Sequence, residues 1–432
     1  MTIAVSGLRY NSVVIQTLDG ETSVDITNSI LYADYYEDIL SPCITMTIQV
    51  MNSASLFNIL PLRGGERVAF SAETGFGEFT LDDEYTMYVY KVSGLDAQKT
   101  NEMFTLHLVS REVLTNETNR CLKRYEGNLK ETVKKILDEV LVTKKYKDSN
   151  IEQTANSYNF IGNQKKPFHV LTWLCPKAIP MTTSGVSGSG NNAEAKGVSG
   201  FLFYENKEGF NFRSIDSLVS KTKIQTGSSS EENIQRYTYT QVIEENKLGN
   251  ERKILNYNFE KNIDLMKSLR VGMYANKTYF YDIYENRLDV ITYKLKDEIN
   301  NQLGSNPISV LDGLDDSISR VLFRTADRGV LSKEGIADGS GRDNADMAKS
   351  FSRYNLLFTQ ALNMLIPCNV TLKVGDIIYV EFPKIERSNQ KEVDEEQSGN
   401  YLIKELRHHF ESSQMVTSLR LIRDSYGLYG ST

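Results

Sequence analysis

Two stretches of the sequence repeat the same pattern. Residues 62–70, LRGGERVAF, and residues 372–380, LKVGDIIYV, both run leucine, basic, any, glycine, acidic, any, β-branched, any, apolar, and they lie 310 positions apart. Two further pairs follow in the same order, each 313 positions apart: YVYKV from Tyr88 with YLIKE from Tyr401, and TLHLVSRE from Thr105 with SLRLIRDS from Ser418. Ordered matches at a nearly constant separation predict an internal duplication.

A glycine followed by an acidic residue opens each copy of the repeat. Gly65 and Gly375 permit a positive φ at a tight turn, and the acidic neighbour leads into a strand whose apolar positions alternate. We therefore expect the same β unit twice. Two similar units in one chain let a trimer present six similar positions around an axis. The positions that define the repeat are Gly65, Glu66, Tyr88, Leu106, Gly375, Asp376, Tyr401 and Leu419.

The pattern predicts an α+β chain that is mainly β, with two similar antiparallel, barrel-like β domains and inserted helical and mixed α/β regions. The first β domain is assigned to residues 1–115, where strand patterns such as CITMTIQVM and YTMYVYKVS are punctuated by Gly and Pro. Residues 116–200 form a helix-containing insert ending in a Gly/Ser loop. Residues 201–300 contain a hairpin, GFLFYENKEGFNF, and a Tyr-rich mixed region. Extended loops are expected over 301–350, and a helix with the second β domain over 351–432.

Helical patterns occur in three segments. In NLKETVKKILDEVLV the apolar residues recur on one helical face, with Asn128 placed to cap the N-terminus and Glu131 three residues on. A second helix is expected to begin at Pro167, since proline is tolerated in the first turn, and to end near Pro176. A third helix is expected over residues 346–365.

Charge and cysteine content limit the function classes. The 432-residue chain carries 49 basic and 56 acidic residues, a net charge of −7, without a long like-charge block. Tight binding of nucleic acid needs a dense stripe of Lys and Arg side chains to neutralise the phosphates, so tight DNA binding is not expected. Four scattered cysteines without a CxxC motif are typical of reduced thiols in a protein made in the cytoplasm. Neither a secretion signal nor a run of 18 apolar residues is evident, so no membrane span is expected.

The adjacent histidines His408 and His409 are the most conspicuous candidates for a metal or catalytic site. Neighbouring residues of a strand point to opposite faces, so these side chains line one site only if the strand is bulged. We therefore expect structural histidines here. The isolated His107 and His169 receive the same interpretation.

Acidic runs raise the question of acid–base catalysis. The runs are DYYED, LDDEY, LDGLDD and VDEEQ, and spacing alone does not place two carboxylates across a cleft, so solvated turns are the simpler interpretation. ADGSGRDNAD has one G-x-G-x-D element but lacks the alternate aspartates of an EF-hand loop, and GFGEF falls short of GxGxxG. We expect no catalytic, cofactor-binding or metal-binding residues.

The order of these motifs resembles the central baseplate hub protein of contractile-tailed bacteriophages, which is related to the N-terminal region of type VI secretion spike proteins. The resemblance spans most of the chain and is weakest over residues 235–345. The matching segments are PLRGGERV, KKPFHVLTWLCPKAIP leading into SGFLFYENKEGFNFRSIDSL, IPCNVTLKVGDIIYVEFP, and SGNYLIKELRHHF followed by LRLIRDSYG.

The resemblance implies a homotrimer whose six tube domains continue the sixfold tail tube, while the other face holds a trimeric spike. The implied partners are the spike protein, tail tube or tube-initiator proteins and baseplate wedge proteins, with no cofactor. DNA would pass through the central channel without specific binding, repelled by acidic residues along it. The implied location is the virion tail baseplate, after assembly in the host cytoplasm. Two alternatives remain: a peptidoglycan-degrading tail enzyme and a type VI secretion-like spike component.

Overall fold

The computed structural model describes most of the chain, and over these residues the protein is mainly β, as predicted. The predicted Gly/Ser loop at 182–199 and much of the polar segment at 301–350 lie outside the described residues. The described residues are 8–52, 62–75, 77–97, 102–181, 200–220, 234–239, 252–261, 264–295, 303–304, 317–327, 329, 342–384, 393–412 and 414–427.

Twenty-two strands and six α-helices have defined bounds. Strands β1 to β22 are Arg9–Gln16, Ser23–Asp25, Ile30–Asp38, Thr45–Asn52, Arg67–Thr74, Gly77–Leu81, Met87–Ala97, Glu102–Ser110, Arg124–Tyr125, Phe160–Ile161, Phe201–Asn206, Gly209–Ser214, Arg236–Tyr239, Lys253–Ile254, Asn256–Lys261, Ala275–Asp282, Arg287–Lys294, Arg320–Thr325, Gln360–Pro367, Ile377–Glu381, Gly399–Glu411 and Gln414–Arg423. Helices α1 to α6 are Arg111–Thr118, Leu129–Lys135, Pro167–Leu174, Ile215–Ser220, Leu265–Arg270 and Arg342–Leu356.

The first β run contains β1, β5, β7, β8, β4 and β3, hydrogen-bonded in that order and antiparallel throughout. Its strands alternate between buried and more exposed residues, which is the pattern of a sheet with one face in a core. Along β4 the buried residues are Met46, Ile48 and Val50.

The second β run contains β13, β20, β21, β22, β19 and β15, again in that order. All its pairs are antiparallel except β13 with β20, which is parallel. Leu362, Met364 and Ile366 alternate as buried residues along β19, just as their counterparts do along β4. The two runs therefore match in strand order, both in the sheet and along the chain, although β13 runs parallel to β20 where β1 runs antiparallel to β5.

A direct strand pair joins the two runs. The second half of β21 pairs antiparallel with β3, from Glu405 opposite Asp38 to Glu411 opposite Tyr32. The first residues of β21 pair instead with β20, so this 13-residue strand pairs with β20 along its first part and with β3 along its second. The pair makes one 15-stranded sheet out of both runs.

The apolar faces of both runs share one core. Ile48 and Leu106 from the first run lie in the same buried cluster as Met364 and Leu419 from the second. The inserted region has a separate core built from α2, α3, β11 and β12. A three-stranded sheet, β17–β16–β18, packs on a third and smaller cluster.

Several predicted local features are confirmed. The Asn128 side chain accepts a hydrogen bond from the backbone N–H of Lys130 at 2.9 Å and caps α2, which continues as a π-helical turn through Val140. Pro167 is the first residue of α3. The predicted hairpin forms as β11 and β12, with Asn206 opposite Gly209 across the turn.

Three predictions of element bounds were wrong. The helix expected over 346–365 ends at Leu356, because residues 360–367 pair on both sides as β19, and this pairing overrides local helical pattern. Residues 301–350, expected to be extended loops, include β18, which pairs in parallel with β16. The first β region ends at Ser110, where α1 begins.

Candidate functional site

The turn before β5 is closed by two backbone hydrogen bonds to β7. Gly65 has φ +96° and its N–H donates to the Val89 carbonyl at 2.6 Å, while the Val89 N–H donates to the Glu66 carbonyl at 2.9 Å. The Glu66 carboxylate accepts from the backbone N–H of Arg63 at 2.7 Å and of Gly64 at 3.0 Å. A positive φ and an inward-facing acidic side chain together explain the Gly–acidic pair in the sequence.

The turn before β20 repeats this arrangement. Gly375 has φ +86°, its N–H donates to the Ile403 carbonyl at 3.1 Å, and the Ile403 N–H donates to the Asp376 carbonyl at 2.9 Å. The Asp376 carboxylate accepts from the Lys373 backbone N–H at 3.2 Å. Each predicted glycine and acidic residue therefore occupies the same place in its own run.

The predicted match of Tyr88 with Tyr401 is one residue out of register. Val68, the seventh residue of the first nonapeptide, pairs with Met87, whereas the corresponding Ile378 pairs with Tyr401. Tyr401 therefore corresponds to Met87, and both are buried. Tyr88 is half-buried and lies under the Arg67 guanidinium. Aligning the two tyrosines by residue type was therefore wrong by one position. A one-residue slip places a side chain on the opposite face of the strand.

The other two repeat positions do correspond. Leu106 pairs with Val92 on β7, and Leu419 pairs with Leu406 on β21; both leucines are buried. Each hairpin also carries one irregularity early in its first strand, after Val89 in β7 and after Ile403 in β21. Strand β7 has a second irregularity, between Ser93 and Asp96, that β21 lacks over the residues described. This extra residue in the first hairpin is why the fixed separation of 313 failed on one strand.

One face of the joined sheet carries mostly polar residues and borders an open cavity of about 930 Å³. Strands of both runs line it: β3 and β4 from the first run, and β15, β19, β21 and β22 from the second. We call this surface the polar face. Its residues include Tyr36, Asp38, Thr45, Thr47, Asn256, Asn258, Asn363, Glu405, Arg407, Ser418 and Arg420.

Ion pairs neutralise most charges of the polar face. Arg407 holds the Asp34 carboxylate with two hydrogen bonds of 2.9 Å, one from Nε and one from a terminal nitrogen. Arg420 donates to Glu405 at 2.9 Å and to Glu260 at 2.6 Å. The carboxylates Asp34, Glu405 and Glu260 at this face are thus paired with arginines.

The two adjacent histidines lie on opposite sides of β21, as predicted. His408 is fully buried, with Nδ1 2.8 Å from the Thr417 hydroxyl, and burial lowers its pKa to about 3. His409 lies on the polar side, where its Nδ1 is 2.7 Å from Asp34. His408 is therefore a neutral core residue, and His409 belongs to the Asp34 ion-pair network.

A buried carboxylate that the sequence interpretation missed ties three segments together. Glu37 accepts hydrogen bonds from the Tyr35 hydroxyl at 2.7 Å, from the Lys207 backbone N–H at 2.7 Å and from the Val374 backbone N–H at 2.9 Å. Burial raises the pKa of Glu37 to about 7. The signal was available in the alternation of β3, since Glu37 continues the inward-facing series of Ala33 and Tyr35.

A second buried ionic cluster connects the first run to the insert. Glu205 on β11 accepts from the Ser110 hydroxyl at 2.6 Å and from the Ile44 N–H at 3.1 Å. Lys145 lies 3.0 Å from Glu112 and 3.6 Å from Glu205. Burial and the neighbouring Glu112 raise the pKa of Glu205, against the opposing effect of Lys145.

The second run ends in a different buried cluster. Arg353 on α6 donates to Asp424 at 2.9 Å and to Asp216 at 3.4 Å. Asp424 also accepts from the Leu303 N–H at 2.9 Å. Arg423 is fully buried beside Tyr401 and donates to the Ser398 carbonyl at 3.1 Å.

Neither a metal cluster nor a membrane-spanning helix is found within the described ranges. No group of three or more His, Cys, Asp or Glu side chains there is arranged to hold a metal ion. None of the helices within those ranges is both long and apolar enough to cross a membrane.

Two solved structures of tail proteins share this fold over nearly the whole chain. The tail protein from Neisseria meningitidis MC58 matches with a TM-score of 0.50 at 11% identity, covering 97% of this chain and 97% of that chain. The 43 kDa tail protein of prophage MuSo2 from Shewanella oneidensis matches with a TM-score of 0.51 at 8% identity, covering 96% and 98%. The sequence matches no family model and no curated protein.

A type VI secretion component from E. coli, c3393, aligns more weakly. The identity is 12%, the coverage is 97% of this chain and 78% of that chain, and the TM-score is 0.43. The resemblance predicted from the sequence motifs is confirmed at the level of the fold by the tail proteins from Neisseria meningitidis and Shewanella oneidensis. Identities this low show the fold alone.

Proposed function

We propose that this chain is the structural hub of a phage tail baseplate, a homotrimer whose six β runs form a ring of approximate sixfold symmetry. The tail fold supports a structural role in the tail. The observation that carries the finer proposal is the matching strand order of the two β runs, side by side in one sheet.

The two runs are best explained as copies of one tube domain. Their strand orders, their glycine turns and the backbone hydrogen bonds at Val89 and Ile403 correspond. Independent origin would have to reproduce each of these features separately. A shared ancestor also explains why the sequence similarity is confined to the turn and hairpin residues, where backbone conformation restricts the choice of residue.

A trimer follows from matching this repeat to a sixfold partner. Each chain supplies two similar units at neighbouring positions, so three chains supply six. One face of such a ring is suited to the sixfold tail tube or its initiator proteins. The true threefold symmetry suits a trimeric spike on the other face, with the baseplate wedges outside.

The polar face is the surface we assign to the channel for DNA. Its arginines are engaged with Asp34, Glu405 and Glu260, so they are not free to neutralise phosphates. Retention of DNA requires several phosphate contacts per site, whereas a surface of paired charges and neutral amides offers few. DNA would therefore pass this surface without specific binding, in a virion baseplate assembled in the host cytoplasm.

An enzymatic role is the weaker candidate. The carboxylates with raised pKa, Glu37 and Glu205, are 2% and 0% exposed, so a cell-wall substrate does not reach them. Cell-wall zymography with the purified protein should accordingly give no clearing. Clearing that is lost on substitution of a surface carboxylate would favour a peptidoglycan-degrading tail enzyme.

The mass of the particle in solution tests the hub proposal. We expect sedimentation equilibrium to give three chain masses, either for the protein alone or after mixing with its trimeric spike protein. A monomer under both conditions would contradict the proposal.

A further inference from the structure

Strands β7 and β15 each correspond to a strand, β21 and β3 respectively, whose equivalent edge is paired with another strand. Beyond Val89, β7 pairs within the described residues only with β8, whereas the corresponding half of β21 pairs with both β22 and β3. Strand β15 pairs there only with β19, whereas its counterpart β3 pairs with both β4 and β21. The edges of β7 and β15 are therefore the counterparts of the edges of β21 and β3, which pair with each other inside the chain.

We propose that the second half of β7 pairs antiparallel with β15 of a second copy of this chain, repeating the internal β21–β3 pair between subunits. This inference rests on the proposed trimer and names the surface that builds it. The internal pair supplies the template, since it shows how two units of this type join edge to edge.

The template also gives the register. Inside the chain Arg407 lies opposite Tyr36. Ser93 corresponds to Arg407, because Ser93 pairs with Thr105 and Arg407 pairs with Ser418 at the same place in each hairpin. Glu260 follows Phe259 as Tyr36 follows Tyr35.

The residues Tyr35 and Phe259 themselves correspond, because they lie opposite Met46 and Leu362, the same position in β4 and β19. The pairing of β15 with β19 shifts by one residue after Phe259, so that Lys261 and not Glu260 lies opposite Ala361. Ser93 of one copy should therefore lie opposite the two-residue step from Glu260 to Lys261 of the next.

The chemistry of the β7 edge fits burial by another strand. Tyr90 is 51% exposed and Leu95 is 60% exposed, and both lie on the part of β7 that carries the open edge. An uncovered edge with exposed apolar side chains is an aggregation hazard unless a partner covers it. Lys91 lies two residues before Ser93 and would come diagonally close to Glu260 of the next copy, a pair of opposite charge.

The proposed contact is head to tail, because it joins different edges of the two copies. Head-to-tail contacts make a closed ring only when the rotation per subunit divides the circle; otherwise they make open filaments. A ring closed at three requires each β7–β15 pair to repeat the geometry of β21–β3, which gives six equivalent junctions.

Cysteine cross-linking tests the pairing residue by residue. The variant Ser93→Cys with Glu260→Cys is made in a Cys43→Ser background, since Cys43 is the one half-buried native thiol. Opposite residues of an antiparallel pair have Cα atoms about 4.5–5.5 Å apart, a separation that a disulfide or a short bismaleimide spans. The matched control is Ser93→Cys with Lys123→Cys, whose second site is exposed on the insert.

The internal junction provides the positive control. Tyr36→Cys with Arg407→Cys should cross-link within one chain and leave its mass unchanged. Circular dichroism and the solution mass establish that each variant is folded and keeps the oligomeric state of the parent.

We expect the Ser93–Glu260 variant to give covalent dimers and trimers on non-reducing gels, at a yield at least about tenfold above the control because the thiols are held together. A trimer by mass with no more cross-linking than the control would overturn the pairing and leave the hub proposal standing. A monomer would defeat both. Cross-linked ladders extending beyond three chains would overturn closure of the ring at three.

Discussion

The two β runs have the same strand order but make different side-chain contacts with the rest of the molecule. Where β8 ends, Ser110 donates to the buried Glu205 of the hairpin. At the corresponding place β22 ends in Arg423 and Asp424, and Asp424 binds Arg353 of α6. The repeated part is the backbone that forms the sheet, whereas the contacts at the ends of the strands are particular to each copy.

The difference extends to the strand edges. In the second run the long strand β21 is covered on both sides along its second half, and its side chains His408 and Phe410 are buried. In the first run the corresponding part of β7 carries exposed Tyr90 and Leu95. The proposed pairing of β7 with a second copy of this chain would cover this edge as β3 covers that of β21.

The largest expected effect is at the ionic end of the second run. Arg353→Met removes the cation that contacts the fully buried Asp424 and the partly buried Asp216, and we expect the free energy of unfolding to fall by about 3–5 kcal/mol. Chemical denaturation measures this change. The control Arg287→Met breaks an exposed pair with Asp289 and should cost about 1 kcal/mol or less. Equal losses for both variants would contradict the assigned role of the buried cluster.

The two glycine turns should differ in their tolerance of a side chain. Both have positive φ, which costs an L-residue about 1–2 kcal/mol. A Cβ at Gly375 would lie 2.4 Å from the buried Tyr204 hydroxyl oxygen, whereas at Gly65 it would lie 3.1 Å from the end of the exposed Leu18 side chain. We expect Gly375→Ala to cost about 3 kcal/mol of unfolding free energy and Gly65→Ala about 1 kcal/mol. A larger loss of unfolding free energy in Gly65→Ala than in Gly375→Ala would show that the two turns are not in the environments described.

Glu37 should make stability depend on pH. Its pKa is raised by burial from 4.5 to about 7, so its protonated form favours the folded state. This contribution is fully present below pH 4.5 and is lost as the pH rises through 7, by at most about 3 kcal/mol. Glu37→Gln should therefore flatten the decline in unfolding free energy between pH 5 and pH 8.

Tyr35→Phe is the matched variant for this test. It removes a hydroxyl that donates to the Glu37 carboxylate at 2.7 Å, while the backbone donors of Lys207 and Val374 remain. Because the lost hydrogen bond stabilised the ionised form, its removal should raise the pKa of Glu37 further, so the decline in unfolding free energy should become larger and extend to higher pH. An unchanged profile in Glu37→Gln would show that other groups govern this range.

The smallest effect is expected on the polar face. Arg420→Gln breaks contacts to Glu405 and Glu260, all three side chains being more than a third exposed, so the unfolding free energy should change by about 1 kcal/mol or less. The same variant should not gain affinity for DNA in filter-binding assays, because it removes a cation. A gain would contradict the assignment of this surface to a passage that does not hold DNA.

The sequence predicted the repeated unit where backbone conformation restricts residue choice. The glycines at 65 and 375 have the positive φ expected of them, and the leucines at 106 and 419 are buried, because turn geometry and strand alternation are local. The match of Tyr88 with Tyr401 failed because an irregularity between Ser93 and Asp96 gives β7 one residue more than β21 has at that place. A fixed separation along the sequence cannot represent such a shift.

The joining of the two runs and the buried charges were not predictable in the same way. The β21–β3 pair joins residues more than 360 positions apart, from Glu405 with Asp38 onwards, and no local pattern encodes that contact. The ion pair of Arg353 with Asp424 likewise depends on tertiary packing. Glu37 was open to prediction, as a charged residue in an inward position of an alternating strand, and it was overlooked among the acidic run DYYED.

An electron-microscopic image of the purified particle tests the central claim most directly. Averages viewed down the particle axis should show a ring with a central opening and six similar lobes, alternating in two kinds under true threefold symmetry. A compact particle without a central opening, or a ring whose lobes do not occur in pairs, would contradict the claim that two copies of one β unit per chain build the hub.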